Sequence, residues 1–365
     1  MIPLRPLPTG NRVAYPPIRR PSCVATVNGT PVPVLSFEVE SNNHFAADTW
    51  ECSLALAGMP KGLGLGFWAS QVPVTVQIFA GLNGPPATSL ILGDADRVVI
   101  DAVAGEVHLT GRDRTAVFLE ARTTDKFQDH LASEIVSELA ASHNLASQVT
   151  RTAKRVGQYY YPRDNAQLAN GETEWSLLTY LAEHEGFDLF VSGNTVYFQP
   201  PAALSVQPTL ISYRPSATGR MASGNVLSLH CDRSLHLASD ITVTVLSWNA
   251  QSERTVTAQA RAAGTGTAGG PPRTYTFREP GLTQEQAQQL AGQKVLEITK
   301  QERVIRWTEP ANLTLTARSQ VRLQGTGTAW DQLYVVNHIR RRMSFAEGFS
   351  MEVEAANTSP RSVSN

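Results

Sequence analysis

Apolar and polar residues alternate through most of the first third of the chain. Residues 23–40 alternate around Asn28-Gly29, a strong signal for a two-residue turn between antiparallel strands. TWECSLAL, VPVTVQIFAG and RVVIDAVAGEVHLTGRD repeat the pattern, and in the second of these one face carries Val72, Val74, Val76 and Ile78. Five or six short strands separated by Gly and Pro predict a small barrel or sandwich.

A helical period follows in residues 125–145. Its apolar residues recur at intervals of four, as expected for a helix that packs on one face: Phe127, Leu131, Ile135 and Leu139. Thr124 or Asp125 is the predicted N-terminal cap, and Asn144 is the predicted left-handed residue at the end.

The segment ETEWSLLTYLAEHEGFDLFVSGNTVYFQPP, residues 172–201, predicts a second helix and a hairpin. Gly186 is the expected end of the helix, and two strands follow that turn at Gly193-Asn194. One side of this helix is apolar and is formed by Trp175, Leu178, Leu181 and Ala182. Together with the first helix, this segment predicts a compact α+β domain.

Strand patterns return near residues 206–250, notably in SDITVTVLSWNAQ, and again in residues 310–357. Between them lie a loop of small residues and a helix that Thr283 and Gln286 cap as a capping box. The predicted fold class is therefore α+β and mainly β, with two β-barrel or sandwich domains, an intervening α+β domain and an inserted loop-helix segment. The predicted boundaries are 1–21 for an extended arm, 22–111, 112–205, 206–250 with 305–357, 251–304 for the insertion and 358–365 for a tail.

Composition adds few constraints to this division. The 365 residues are 42% hydrophobic and 17% charged, which is typical of a folded protein with several domains, and the net charge of −1 gives no field toward nucleic acid or anionic lipid. Cys23, Cys52 and Cys231 are odd in number and far apart, so we expect a reducing compartment. The Pro- and Arg-rich start predicts no signal peptide; it is either a tail or a strap that orders on a neighbour.

No motif predicts an enzyme. Gly264, Gly266 and Gly269 match G-x-G-x-x-G, but the buried strand before it and the helix after it are missing, so a surface loop is the better interpretation. His230, Cys231, Asp232 and His236 lack a second ligand pair, and we expect strand-end residues rather than a metal site. We expect no catalytic residues, no metal and no cofactor, although two distant carboxylates could still serve a glycosidase.

Arg340, Arg341 and Arg342 lie on a predicted strand, so Arg341 faces away from the other two. Two interpretations of Arg340 and Arg342 remain open: solvated charge on an edge strand, or an interface that meets acidic groups or phosphate. With the 264–273 loop, they are the candidate interface residues.

In combination, LTGRDRTAVFLEARTTDKFQDHLASEIVSELAASHNL, the 172–201 segment, ITVTVLSWNAQ and YVVNHIRRRMSFAEGFSMEVE resemble the baseplate hub proteins of contractile-tailed bacteriophages, the late control D family. That family is akin to the hub part of type VI secretion spike proteins. The resemblance covers most of residues 109–357. It implies a homotrimer in which two similar β domains per chain match a hexameric tail tube to a trimeric spike.

The resemblance also implies the partners and the location. The partners would be the tail-tube protein, a separate spike protein and baseplate wedge proteins, in a virion assembled in the bacterial cytoplasm. DNA would pass through the lumen without sequence-specific binding, and no stable membrane insertion is expected. A tail-associated cell-wall or polysaccharide hydrolase, a carbohydrate-binding module and a tail-tip hub of a non-contractile phage, tailocin or gene-transfer particle remain alternatives.

Overall fold

A computed structural model describes residues 19–122, 127, 129–153, 155–156, 173–203, 208–216, 221–237, 240–249, 254–262 and 273–357. The fold is α+β and mainly β, as the alternation predicted. Four apolar cores divide it into a first sheet unit, an α+β unit, a second sheet unit and an inserted unit.

The first sheet unit contains seven strands, and a short α1, Leu65–Ser70, follows the fourth. The predicted turn is present, because Asn28 and Gly29 both have positive φ, and Val27 pairs with Thr30. Val74, Val76 and Ile78 are buried as expected, but Val72 is 85% exposed because the strand begins only at Thr75. The strands are β1 Pro21–Val27, β2 Thr30–Val32, β3 Val34–Asn42, β4 Thr49–Ala55, β5 Thr75–Leu82, β6 Thr88–Asp101 and β7 Glu106–Asp113.

The α+β unit packs its helices on a small three-stranded sheet. Its elements are α2 Ala116–Glu120, β8 His130–Leu131, α3 Ala132–Ser142, β9 Ala146–Val149, β10 Arg155–Val156, α4 Glu174–Glu185, β11 Asp188–Ser192 and β12 Thr195–Gln199. Asn144 and Gly186 are left-handed at the helix ends, and β11 pairs with β12, as predicted.

The predicted start of the first helix was wrong. Thr124 and Asp125 lie outside the described residues, and α3 begins at Ala132, with Leu131 as its cap residue and Glu134 accepting a 3.0 Å hydrogen bond from the Leu131 amide. Leu131 is held instead by the short β8–β10 pairing.

The second sheet unit also contains seven strands, which are β13 Thr209–Arg214, β14 Ser223–Gly224, β15 Ser228–Arg233, β19 Arg303–Pro310, β20 Gln320–Gln324, β21 Leu333–Ser344 and β22 Gly348–Asn357. The inserted unit separates β15 from β19. It consists of β16 Ile241–Asn249, β17 Arg254–Ala262, β18 Arg273–Arg278 and α5 Gln284–Thr299.

The boundary predicted for this insertion was wrong in two respects. Residues 241–249 do not join the second sheet unit; β16 pairs with β17 and β18, and its apolar face packs on α5. The 251–304 segment is therefore more than a loop and a helix. Its helix begins as predicted, because Thr283 and Gln286 form the capping box.

The two sheet units have the same strand order. In each, the seven strands lie side by side in the order second, first, fifth, sixth, seventh, fourth, third. All neighbours are antiparallel, except that the first strand of the second unit, β13, runs parallel to the fifth. The two units are thus one topological pattern used twice, with the first two strands, β13 and β14, reversed in the second unit.

A bulge in the sixth strand supports this equivalence. The pairing of β6 with β7 shifts between Ala95 and Arg97, and that of β21 with β22 shifts between Val336 and His338. In both units the shift follows directly after the stretch that pairs with the fifth strand. A bulge is a built feature rather than an accident of packing, so its repetition aligns the two units residue by residue.

Candidate assembly interface

The two sheet units are joined by one strand pairing, which we call the seam. The second half of β21 pairs antiparallel with β3, from His338 opposite Asn42 to Ser344 opposite Ser36. The first half of β21 pairs with β20 of its own unit. The strand therefore leaves one sheet and enters the other, and it makes a continuous sheet of 14 strands.

The outer face of the seam carries a row of ion pairs. Glu38 accepts hydrogen bonds from Arg340 and from Arg342, and Arg340 Nε lies 2.9 Å from Glu40 Oε1. Glu352 adds a contact of 3.5 Å to Arg342. Burial would raise the pKa of Glu38, but the two arginines outweigh it and lower that pKa below its usual value.

This geometry differs from both interpretations of the arginine pair. The strand is not an edge, because β3 and β22 flank it in the part that carries Arg340 and Arg342. The pair does meet acidic groups, but those groups belong to the same chain. The sequence could not show this, because the acidic strand lies about 300 residues away.

Arg341 faces away from Arg340 and Arg342, as the alternation predicted, and the structure buries it on the inner face. Its guanidinium donates to the carbonyl oxygens of Asn312, at 3.1 Å, and Leu315. Burial lowers its pKa to about 10. Phe349, from β22, packs beside it into the first core and meets Phe37 edge-on at 5.7 Å. The seam is therefore packed as a domain interior.

The α+β unit is fastened to both sheet units beside the seam. Trp175 of α4 donates a 2.6 Å hydrogen bond to the carbonyl of Phe45, in the loop after β3. Arg318, in the loop before β20, places its guanidinium 4.0 Å from the centre of the Phe190 ring. Burial lowers the pKa of Arg318, while Asp188 and Asp48 act to raise it. Three units thus meet at one junction beside the seam.

Two carboxyls lie at the same junction, Asp113 buried and Asp48 partly buried. Burial raises the pKa of Asp113 to about 8 and that of Asp48 to about 6. Both Asp113 oxygens accept hydrogen bonds from Thr115. Asp113 pairs with Gly93, and Asn357 pairs with Tyr334. Since Gly93 and Tyr334 lie at the same distance before the shared bulge, Asn357 is the equivalent of Asp113 in the second unit. Sequence reasoning missed this pair, since nothing local marks either aspartate as buried.

The remaining candidates do not come together with the seam. Gly264, Gly266 and Gly269 lie outside the described residues. His230, Cys231 and Asp232 lie on β15, and among the described residues no three His, Cys, Asp or Glu side chains are grouped to hold a metal ion. No described helix is long and apolar enough to cross a membrane.

The architecture is shared with solved tail proteins. A tail protein from Neisseria meningitidis aligns with a TM-score of 0.68 over 94% of this chain and 99% of its own, at 12% identity. The 43 kDa tail protein of prophage MuSo2 from Shewanella oneidensis gives 0.66 over 93% and 99%, at 13% identity. An E. coli component of the type VI secretion system gives 0.55 over 93% and 78%, at 12% identity.

This chain therefore has a fold related to phage tail and type VI secretion proteins, which confirms the resemblance at that level. No family model and no curated protein matches the sequence.

Proposed function

We propose that this protein is a structural baseplate hub of a phage tail, which adapts a hexameric tail tube to a trimeric spike and docks wedge proteins. The observation that carries the proposal is the repeated strand order of the two sheet units with its repeated bulge. Three chains supply six such units, so a trimer can present six similar surfaces on one side and three on the other.

The hairpin after the sixth strand is a suitable contact to the tube. Its turn carries an exposed apolar side chain in both units, Val103 at 100% and Phe345 at 85% exposure. Isolated exposed apolar groups are common, but these two occupy equivalent turns. A trimer would display six of them, and each contact would be repeated around the ring, which adds to the strength of attachment.

The test is assembly with the tail-tube protein from the same genome. We expect a mass three times that of the 39.6 kDa chain and co-sedimentation with tube hexamers. The double variant Val103→Asp and Phe345→Asp should keep the trimeric mass and lose most tube binding, because each carboxylate would be desolvated at the contact. Leu296→Asp, an exposed apolar position on α5, is the matched control and should bind as the unchanged protein does.

The proposal includes no catalysis. The hydrolase alternative predicts a monomer that clears a zymogram of cell-wall material. That result would contradict the hub proposal, as would a trimer that does not bind the tail-tube protein.

A further inference from the structure

Two sheet edges have the shape of a second, unfilled seam. We propose that neighbouring chains join by pairing the distal half of β6, residues 97–101, with β15 of the next copy, antiparallel and with Ile100 opposite Cys231. This inference rests on the proposed function, because it names the surfaces through which the trimer closes.

The seam within the chain provides the template. It joins the third strand of the first unit, β3, to the sixth strand of the second, β21. The equivalent of β3 in the second unit is β15, and the equivalent of β21 in the first unit is β6. Within the described residues, β15 pairs only with β19, and β6 pairs only with β7 once it has passed its bulge. One edge of each strand therefore presents backbone groups that a further strand would satisfy.

Residues beneath the seam within the chain are buried, whereas the equivalent residues on the free edges of β6 and β15 are more exposed, as the proposed pairing requires. Val39 on β3 is fully buried beneath the seam, whereas Cys231, its equivalent on β15, is exposed. Ile339 on β21 is likewise fully buried, and its equivalent Val98 on β6 is only half-buried. The inner faces of β6 and β15 are therefore less buried at the positions where the seam within the chain buries its residues.

The template also fixes the register. Within the chain Arg341 lies opposite Val39. Counting from the shared bulge, Ile100 is the equivalent of Arg341, and counting across the third and fourth strands, Cys231 is the equivalent of Val39. On the outer face this register sets Arg97 diagonal to Asp232, a pairing of opposite charges within reach across a sheet.

A second copy of this chain is the occupant to which the edges point. The third and sixth strands run in opposite directions in both units. The rotation that maps the first unit onto the second within a chain can therefore also map the second unit onto the first unit of the next chain, and it repeats the seam there. Such a head-to-tail contact closes into a ring when the rotation is one sixth of a turn, and three chains complete it. The ladder would be shorter than the seam, because β6 ends five residues after its bulge and β21 seven.

Disulfide trapping tests the register. Ile100→Cys should form an interchain bond with the native Cys231 on mild oxidation. Val99→Cys with Asp232→Cys, in a Cys231→Ser background, is a second pair one step along the ladder. Consecutive antiparallel pairs alternate between wide and close spacing, so at least one of the two has Cβ atoms close enough for a disulfide. Val99→Cys with native Cys231 is the matched control, since those side chains face opposite sides.

The expected result is covalent trimer on a non-reducing gel from at least one in-register pair and none above background from the control. A trimeric mass with no in-register cross-link, or with an equal yield from the control, overturns this interface and leaves the hub standing. A monomeric mass with no cross-link contradicts both this interface and the hub. A cross-linked ring that does not bind the tail-tube protein contradicts only the hub.

Discussion

Replacing Glu38 with Lys should lower the free energy of unfolding by about 2 to 4 kcal/mol, since a partly buried charge network loses its central acceptor and gains a like charge. Glu38 is largely buried on the outer face of the seam, where it accepts from both Arg340 and Arg342. The substitution leaves those two guanidinium groups beside an ammonium. Urea denaturation at neutral pH measures the change.

The loss should be local to the seam. Amide exchange should speed up in β3 and in the second half of β21 before it does elsewhere, because these strands join the two units. Glu51→Lys is the matched control: it makes the same charge change at the position opposite Glu38 on β4, where the residue is exposed. We expect it to change stability by less than about 0.5 kcal/mol, as surface substitutions usually do. A Glu38→Lys protein as stable as this control would show that the ion pairs do not hold the seam.

Asp113→Asn should stabilise the protein at neutral pH, by up to about 4 kcal/mol at pH 7. Burial raises the pKa of Asp113 to about 8, with the charge of Asp48 adding to the effect. In the unfolded chain an aspartate loses its proton near pH 4, so between about pH 4 and 8 the native state binds more protons than the unfolded state. Stability therefore falls as pH rises through that window, and the amide removes this penalty.

The pH profile is the readout. The variant should match the unchanged protein at pH 4 and exceed it increasingly up to about pH 8. Asparagine should fit, because Asn357 fills the equivalent position of the second unit with 0% exposure. Glu138→Gln, an exposed acid on α3, should leave the profile unchanged. A variant that is less stable than the unchanged protein at pH 7 would mean that the native state needs the carboxylate.

The elements that local chemistry determines could be predicted from the sequence. Asn28-Gly29 requires a hairpin, Gly186 ends its helix in the left-handed conformation, and Thr283 with Gln286 caps another. The alternation along 340–342 placed Arg341 on the face opposite to Arg340 and Arg342, and the structure buries it there. In each case the physical cause lies within a few residues, so the pattern is sufficient.

Sheet membership could not be predicted in the same way. The alternation of Ile241, Val243 and Val245 marks a strand with one buried face, and the structure buries all three. It does not say which sheet the strand enters, because strand pairing is set by long-range contacts. For the same reason Leu131 fitted a helical stripe and is yet drawn into the β8–β10 pairing.

The candidate site depended on such long-range pairing most of all. Arg340 and Arg342 could be named as interface residues, but their acidic partners on β3 are set by strand order alone. The equivalence of the two units is likewise a property of topology: Arg341 and Ile100 occupy the same position with unlike side chains.

Two equivalent units per chain, repeated by three chains, should form a ring with approximate sixfold symmetry. Electron cryomicroscopy of the purified protein, reconstructed without imposed symmetry, tests it most directly. We predict a threefold ring in which six similar sheet units surround a pore at one radius. A monomer, or a ring in which the first and second units lie at different radii, would contradict it.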